Sequence, residues 1–425
     1  MSKSNHFFGQ PVFGQLINYL DRDSIQKYSR ENGGERYVKS FDTWSHLVVM
    51  LYAVIMRFDS LREIAASTWA EVNKLPHLNI NSIPRRSTLS DANKRRPESI
   101  FAWIYSNLLE KHRKELSSDS RVKNEAAWVG RLRIMDSTTI SLFSNLIFKG
   151  VGRNPKIGKK KGGIKVHTII HANEGVPSDI RFTSAATHDS FMMQPSDYKA
   201  NDILAIDRAY IDYEKFEQMT QNGAIYVTKM KRNLRYEIIE DKMIMNDKGL
   251  MVCRIQSVVF KTEKIEHKAR IITYVDEKLK KNGKIEYKLV SLLTNDFQME
   301  VEDIIAIYKR RWQIESLFKQ IKQNFPLKYF YGESANAIKI QIWITLIANM
   351  LLTLFQRRLE RSWSFSGLAT MVRIVLMYYI NMDTFFERPE EDWETIRQKS
   401  ILQAQIATSV PPPNQKGGLL TDKNK

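Results

Sequence analysis

Residues 307–325 read IYKRRWQIESLFKQIKQNF, five Lys or Arg side chains around a single acid, Glu315. Ile307, Ile314, Phe318, Ile321 and Phe325 recur at spacings of three, four and seven, and neither Gly nor Pro intervenes before Pro326. The spacing predicts a helix with one apolar stripe. At about 100° per residue, Tyr308, Arg311, Glu315, Lys319 and Lys322 fall on a second stripe beside it. A solvated face would look the same, with Arg311 and Lys319 pairing with Glu315 at i,i+4 for about 0.3–0.5 kcal/mol each. Such pairs are commoner than sites. The lone carboxylate acquires a purpose only from the rest of the chain.

With 425 residues, 43% of them hydrophobic, the chain is long enough for two or three folded domains and a sizeable core. A formal charge of +18 and a pI near 9.6 point to a polyanionic partner, nucleic acid first. The one cysteine, Cys253, excludes an intrachain disulfide framework and a cysteine zinc cluster, and suits a reducing, cytosolic setting. The N-terminus MSKSNHFFGQ lacks the apolar run of a signal peptide. The segment IQIWITLIANMLLTLF at 340–355 is short for a bilayer and contains Gln341 and Asn349, so it reads as a buried helix and no membrane partner is expected.

Residues 1–125 read as a helical N-terminal DNA-binding domain. Ser60 with Glu63 fits a capping box, and STLSDANKRR at 87–96 starts a helix ending in Lys94, Arg95 and Arg96. A helix-turn-helix and a plain helical bundle with a basic face explain these helices equally well. Strand patterns begin near 130 with RLRIMDSTTISLF, IKVHTIIHAN, SDIRFTSAAT and NDILAIDRAY, giving 126–222 as the first part of a strand-rich core. Between the first two, KGVGRNPKIGKKKGGIK at 149–165 carries seven cations, five glycines and no acid. Lys159, Lys160 and Lys161 there suit phosphate contact. Residues 223–296 form a further set of strands, 297–360 return to the core with the opening helix, 361–408 are helical, and 409–425 form a Pro- and Lys-containing disordered tail.

Two acids sit where local propensity disfavours them. Asp136 interrupts a strand pattern, and Asp207 ends the apolar run Ile203 to Ile206. A turn explains Asp207 more readily than Asp136, which more strand follows. Divalent-metal phosphodiester chemistry explains both together with Glu315, because Mg²⁺ prefers carboxylate oxygen and the protein need do little but hold the ions. The cations around Glu315 would then meet DNA phosphates. Asp189 competes with Asp207 for the second place but lies in the loop-like HDS. His167 and His171 lack the spacing of a zinc site.

Tyr308, Arg311, Glu315 and Lys322 have the spacing Y-x2-R-x3-E-x6-K, MDSTT at 135–139 and IDRAY at 206–210 precede them, and a strand-rich stretch separates Asp207 from Glu315. In these features the chain resembles bacterial insertion-sequence transposases of the DDE type, in the insertion sequence four group named for its Tyr, Arg, Glu, Lys signature. The resemblance implies an α/β fold: an RNase H-like, retroviral integrase-like catalytic core with a β-strand insertion domain, a helical N-terminal domain before it and C-terminal helices after it. It also implies that Asp136, Asp207 and Glu315 bind two Mg²⁺ ions, with Mn²⁺ able to substitute. Tyr308, Arg311, Lys322 and Arg208 would contact transposon-end DNA, and Lys319, Lys159, Lys160, Lys161, Arg95 and Arg96 complete the expected DNA-binding set. The implied partners are double-stranded DNA, as transposon ends and target, and a second copy in a homodimeric DNA complex. The implied location is the bacterial cytoplasm, with the nucleoid. A catalytically inactive DNA-binding regulator is the alternative from another class, and a structure-specific nuclease without strand transfer is a third.

Overall fold

The computed structural model of the chain describes residues 9–117, 125–141, 152–153, 162–245, 249, 251–280, 282–391, 394, 397–398 and 401–402. Lys159, Lys160 and Lys161 and the tail 409–425 lie outside them. The strands are β1 (Leu132–Ser141), β2 (Gly152–Arg153), β3 (Gly162–His171), β4 (Pro177–Ser184), β5 (Ile203–Ile206), β6 (Ile225–Lys229), β7 (Glu237–Met245), β8 (Met251–Lys261), β9 (Glu266–Leu279) and β10 (Ile285–Thr294). Five of them run in the order β4-β3-β1-β5-β6, with β1, β5 and β6 parallel and β3 antiparallel to both its neighbours. This mixed α/β arrangement is consistent with an RNase H-like core.

β5 is a continuous apolar run because both its faces are covered. Ile203 and Ala205 enter one apolar layer, and Leu204 and Ile206 enter the other. Ile134 and Met135 of β1 divide in the same way. The strands of the 223–296 region form no separate sheet. β6 runs parallel to β5 and so belongs to the core, and its other edge takes β10 antiparallel, through Val227–Lys229 against Leu292–Thr294. From β10 the sheet continues as β9, β8 and β7. A buried polar chain fastens this extension to the core. The Tyr226 hydroxyl lies 2.7 Å from His267 Nε2, and His267 Nδ1 lies 2.9 Å from Glu217 on the helix Tyr213–Gln221.

The helix Ala335–Arg358 is apolar because it is a spine. Among the described residues it is the one helix long and apolar enough to cross a membrane, yet it lies inside the protein, packed on the helices Thr43–Met56 and Glu98–Ser117. Its polar residues are used internally. The Gln341 amide donates to the carbonyls of Pro326 and Tyr329 and accepts from the Tyr331 amide, and Asn349 accepts from Gln320. Gln341 and Asn349 are therefore partnered, as burial requires.

In the N-terminal part, Ser60 and Glu63 form the reciprocal cap read from the sequence, the Asp59 amide donating to Glu63. The connection from the helix Leu61–Ala70 to the helix Arg86–Arg95 contains a 3₁₀ helix, Val72–Leu78, so the tight turn of a helix-turn-helix is absent there. Arg96 corrects an expectation. Instead of facing phosphate it is 4% exposed, and it donates to the carbonyls of Gly34 and Phe41 while lying 3.7 Å from Glu35. One guanidinium thus ties down both ends of the segment 34–41. A run of Lys and Arg in a sequence gives charge but not direction, and here the run's last member points inward. Arg95, by contrast, remains exposed, 3.7 Å from Asp91. Arg96→Ala should lower the stability of the fold by about 2–4 kcal/mol, since it leaves carbonyls and Glu35 without their partner. Chemical denaturation measures this. A normal denaturation midpoint together with a reduced salt slope for DNA binding would return Arg96 to the phosphate contacts.

Candidate active site

The β1–β5 register builds the site. Leu132, Arg133, Ile134 and Met135 pair in parallel with Ile203, Leu204, Ala205 and Ile206. Asp136 and Asp207 are each the next residue, so two acids follow the same last pair on adjacent strands, which lie about 4.8 Å apart. Side chains alternate along a strand, which sets both acids on the face that carries Ile134 and Ala205. Asp207 also stops its strand: it caps a short 3₁₀ helix, accepting the Ala209 amide at 3.0 Å. Asp136 lies inside β1, opposite Thr168 of β3, and accepts the Ser137 amide at 2.8 Å.

That same face receives the helix Trp312–Asn324, whose Ile314, Leu317 and Ile321 join the apolar layer of Ile134 and Ala205. Glu315 is carried in with them. The opening stretch is helical from Ile307 to Asn324 except at Arg311, where the helix Val301–Arg310 passes into Trp312–Asn324. The Arg311 amide bonds back to the Tyr308 carbonyl and the Ile314 amide to the Arg311 carbonyl, a local 3₁₀ tightening that the apolar spacing did not reveal.

Arg311 is the centre of the electrostatics. Its guanidinium is 2.7 Å from Glu315 and 3.7 Å from Asp136, and the residue is 7% exposed. The rings of Tyr308 and Trp312 lie on it, at 5.7 and 5.9 Å. Burial opposes its charge, but Tyr308, Glu315 and Asp136 outweigh burial and hold its pKa above the ordinary value. Burial pushes the Asp136 carboxyl up to about 6. The Ser137 amide and Arg311 hold it down, while the negative charges of Asp207 and Glu315 push it up. All three carboxylates therefore share one field. Among the described residues, no three His, Cys, Asp or Glu side chains are close enough to hold a metal ion as they stand. The donor set still suits one: it consists of carboxylate oxygens, and a cation, the Arg311 guanidinium, already stands between two of them.

Residues 127–351, just over half of the chain, match the family model described as transposase DDE domain. The chain belongs to the DDE-domain insertion-sequence transposases of bacteria. A second model, described as a domain of unknown function, matches residues 8–81. The chain is 26% identical to a Sinorhizobium fredii protein named as transposase y4zB, over 64% of this chain and 72% of that one. It is 28% identical to a Synechocystis protein named as the transposase for insertion sequence element IS4SA, over 63% and 71%. It is 24% identical to a Geobacillus stearothermophilus protein named as the transposase for insertion sequence element IS5377, over 63% of this chain and 66%, just under two thirds, of that one. Membership in this family implies dependence on a divalent metal and binding to DNA.

The transposase's remaining candidate residues divide around the three acids. Tyr308 is half-buried, and burial raises its pKa. Arg208 is exposed and, with Asp207, Tyr308, Arg311 and Trp312, lines a cavity of about 340 Å³. Lys229 and Lys288 line the same cavity and are not singled out by pattern, because strands distant in sequence bring them there, and Lys309 joins them from the helix Val301–Arg310. Lys322 reaches β1, donating to Thr138 Oγ1 at 2.5 Å, and Lys319 is exposed one turn before it. Asp189, the rejected competitor, lies close by but accepts from Ser137 Oγ at 2.6 Å and Lys165 Nζ at 3.2 Å. Trp312, 60% exposed beside Arg311, also went unnoticed in the sequence; an aromatic off the apolar stripe was its only signal. Arg311→Met should destabilise the metal-free protein by about 1–3 kcal/mol, because Asp136 and Glu315 lose their shared counter-charge. Urea denaturation without metal checks this, and an unchanged midpoint would mean that the two pairs contribute nothing.

Proposed function

We propose that this transposase binds the terminal inverted repeats of an insertion sequence, cleaves the ends by metal-dependent phosphodiester hydrolysis and joins the 3′-hydroxyls to target DNA by a cut-and-paste route. Asp136, Asp207 and Glu315 are the metal ligands. Tyr308, Arg311, Lys322, Arg208 and Lys319 contact the DNA beside them, as the Tyr, Arg, Glu, Lys signature of the insertion sequence four group implies. Exposed Arg95 and the segment bearing Lys159, Lys160 and Lys161 extend that contact, and the helical N-terminal part helps to hold the ends. Two chains act together on two ends, in the cytoplasm and on the nucleoid.

The observation that carries this assignment is that Asp136 and Glu315 share one guanidinium while the charge of Asp207, on the adjacent strand, acts on Asp136. Such a cluster is costly to bury without compensating charge. Two Mg²⁺ ions held there would activate the attacking oxygen and stabilise the leaving oxygen. The protein's own residues do the rest. Asp136 is held by the Ser137 amide and Asp207 by the Ala209 amide, so both ligands are oriented before any substrate arrives. Arg311, with the aromatic rings of Tyr308 and Trp312 on it, sits where a strand's phosphate would approach Glu315. Arg208, Lys229, Lys288 and Lys309 outnumber Asp276 and Glu286 on the cavity wall; burial, Lys288 and Arg208 lower the pKa of Lys229. A phosphate chain entering beside Asp207 meets that wall.

Glu315→Ala and Asp136→Ala should keep wild-type affinity for a duplex carrying the element's ends but lose cleavage by at least about 10³-fold with Mg²⁺, since they remove ligands and leave phosphate contacts in place. A labelled-end cleavage assay with a parallel binding titration reads both. Cleavage by either variant at the wild-type rate would remove that acid from the site, and equal binding without cleavage by any protein would favour the inactive regulator.

A further inference from the structure

The extended sheet ends in β7, and no strand among the described residues pairs with its outer edge. All nine residues of β7 are exposed, and Ile238, Ile239, Met243, Ile244 and Met245 keep 38–57% of their surface. Apolar exposure continues inward from that edge. The registers set Met243 beside Arg254, Leu289 beside Val275, Tyr287 beside Glu277 and Ile285 beside Leu279. Strand alternation then places Met243, Val252, Leu289, Tyr287, Ile285 and Leu279 on one face. Each is 48–71% exposed. The opposite face of β9 and β10 supplies Tyr274, Asp276, Glu286 and Lys288 to the cavity beside Asp207. The apolar face therefore looks away from the candidate DNA path, and a patch of this kind suits a protein partner.

We propose that β7 is the seam through which two copies of this chain associate, edge to edge and antiparallel across a two-fold axis. The charges on the strand select the register. β7 reads EIIEDKMIM. A two-fold axis at Asp241 sets Glu240 of each copy opposite Lys242 of the other, and Ile239 opposite Met243. Asp241 then faces its own counterpart, but its carboxylate already accepts from Arg254 and Gln256. An axis at Lys242 would instead oppose lysine to lysine. The register irregularity between Ile238 and Glu240, like the charges, deters pairing with an unrelated strand. A second copy is the partner whose acid and lysine fall in the matching places. Paired in this way, the two apolar faces become neighbours along one continuous sheet.

The proposal depends on the function proposed above only for its purpose, the pairing of two sites, and it is tested without DNA or metal. Sedimentation equilibrium of the full chain should show a dimer for wild type. Lys242→Glu, which turns both symmetric pairs repulsive, should weaken dimerisation by about tenfold or more. Glu240→Lys combined with Lys242→Glu exchanges the charges and should restore the dimer to within about threefold. β7 lies outside both cores, and matching thermal melts establish that the variants fold. A wild type that stays monomeric, a Lys242→Glu variant that dimerises as well as wild type, or a double variant that fails to recover would each overturn the seam. Cleavage assayed on the same preparations keeps the two proposals apart: a dimer without cleavage counts against the catalytic assignment alone, and cleavage without a dimer counts against the seam alone.

Discussion

Everything in this site answers to one electrostatic constraint: Asp136 is held beside the charges of Asp207 and Glu315 in a place too buried to leave its own charge alone. Asp136 shows it most clearly, since burial and two neighbouring acids raise its carboxyl while Arg311 opposes them. The guanidinium is the internal solution, positioned within 4 Å of two of the three acids and held against two aromatic rings. A lone acid among cations, which reads as a solvated helix face in the sequence, is in the fold a member of an acid cluster whose other members come from two strands.

The sheet makes that cluster unavoidable. In-register parallel pairing of β1 and β5 puts Asp136 and Asp207 side by side, and the alternation of their apolar lead-ins turns both toward the face where the helix Trp312–Asn324 packs. The apolar residues Ile314, Leu317 and Ile321 deliver Glu315 as a consequence of burying themselves. Packing thus determines the geometry, and the charge cost is met locally by Arg311.

Much of this was legible in the sequence, for stated reasons. Apolar runs and broken propensities identified the strands and drew attention to Asp136 and Asp207, and helical periodicity found the stretch that carries Glu315. Period-two alternation, however, marks a strand without naming its neighbour, so the membership of β6 in the core and the continuation of the sheet through β10 to β7 were not readable. The tightened turn at Arg311 left no trace in the apolar spacing. Charge runs were the weakest guide: Arg95 and Arg96 are neighbours in sequence, yet one is exposed and the other is a buried clamp. Asp189 reads as a loop residue from its HDS context, and in the fold it lies next to β1, bonded to Ser137 and Lys165.

The most direct test of the central claim, that Arg311 occupies the place of a bound cation between the acids, is Mn²⁺ binding to the DNA-free protein by titration calorimetry. Arg311→Met should bind Mn²⁺ about tenfold more tightly than wild type, because the metal no longer competes with a resident positive charge, and Glu315→Ala should bind it far more weakly. Mn²⁺ affinity that is unchanged or weaker in Arg311→Met, or unaffected by loss of Glu315, would contradict the account.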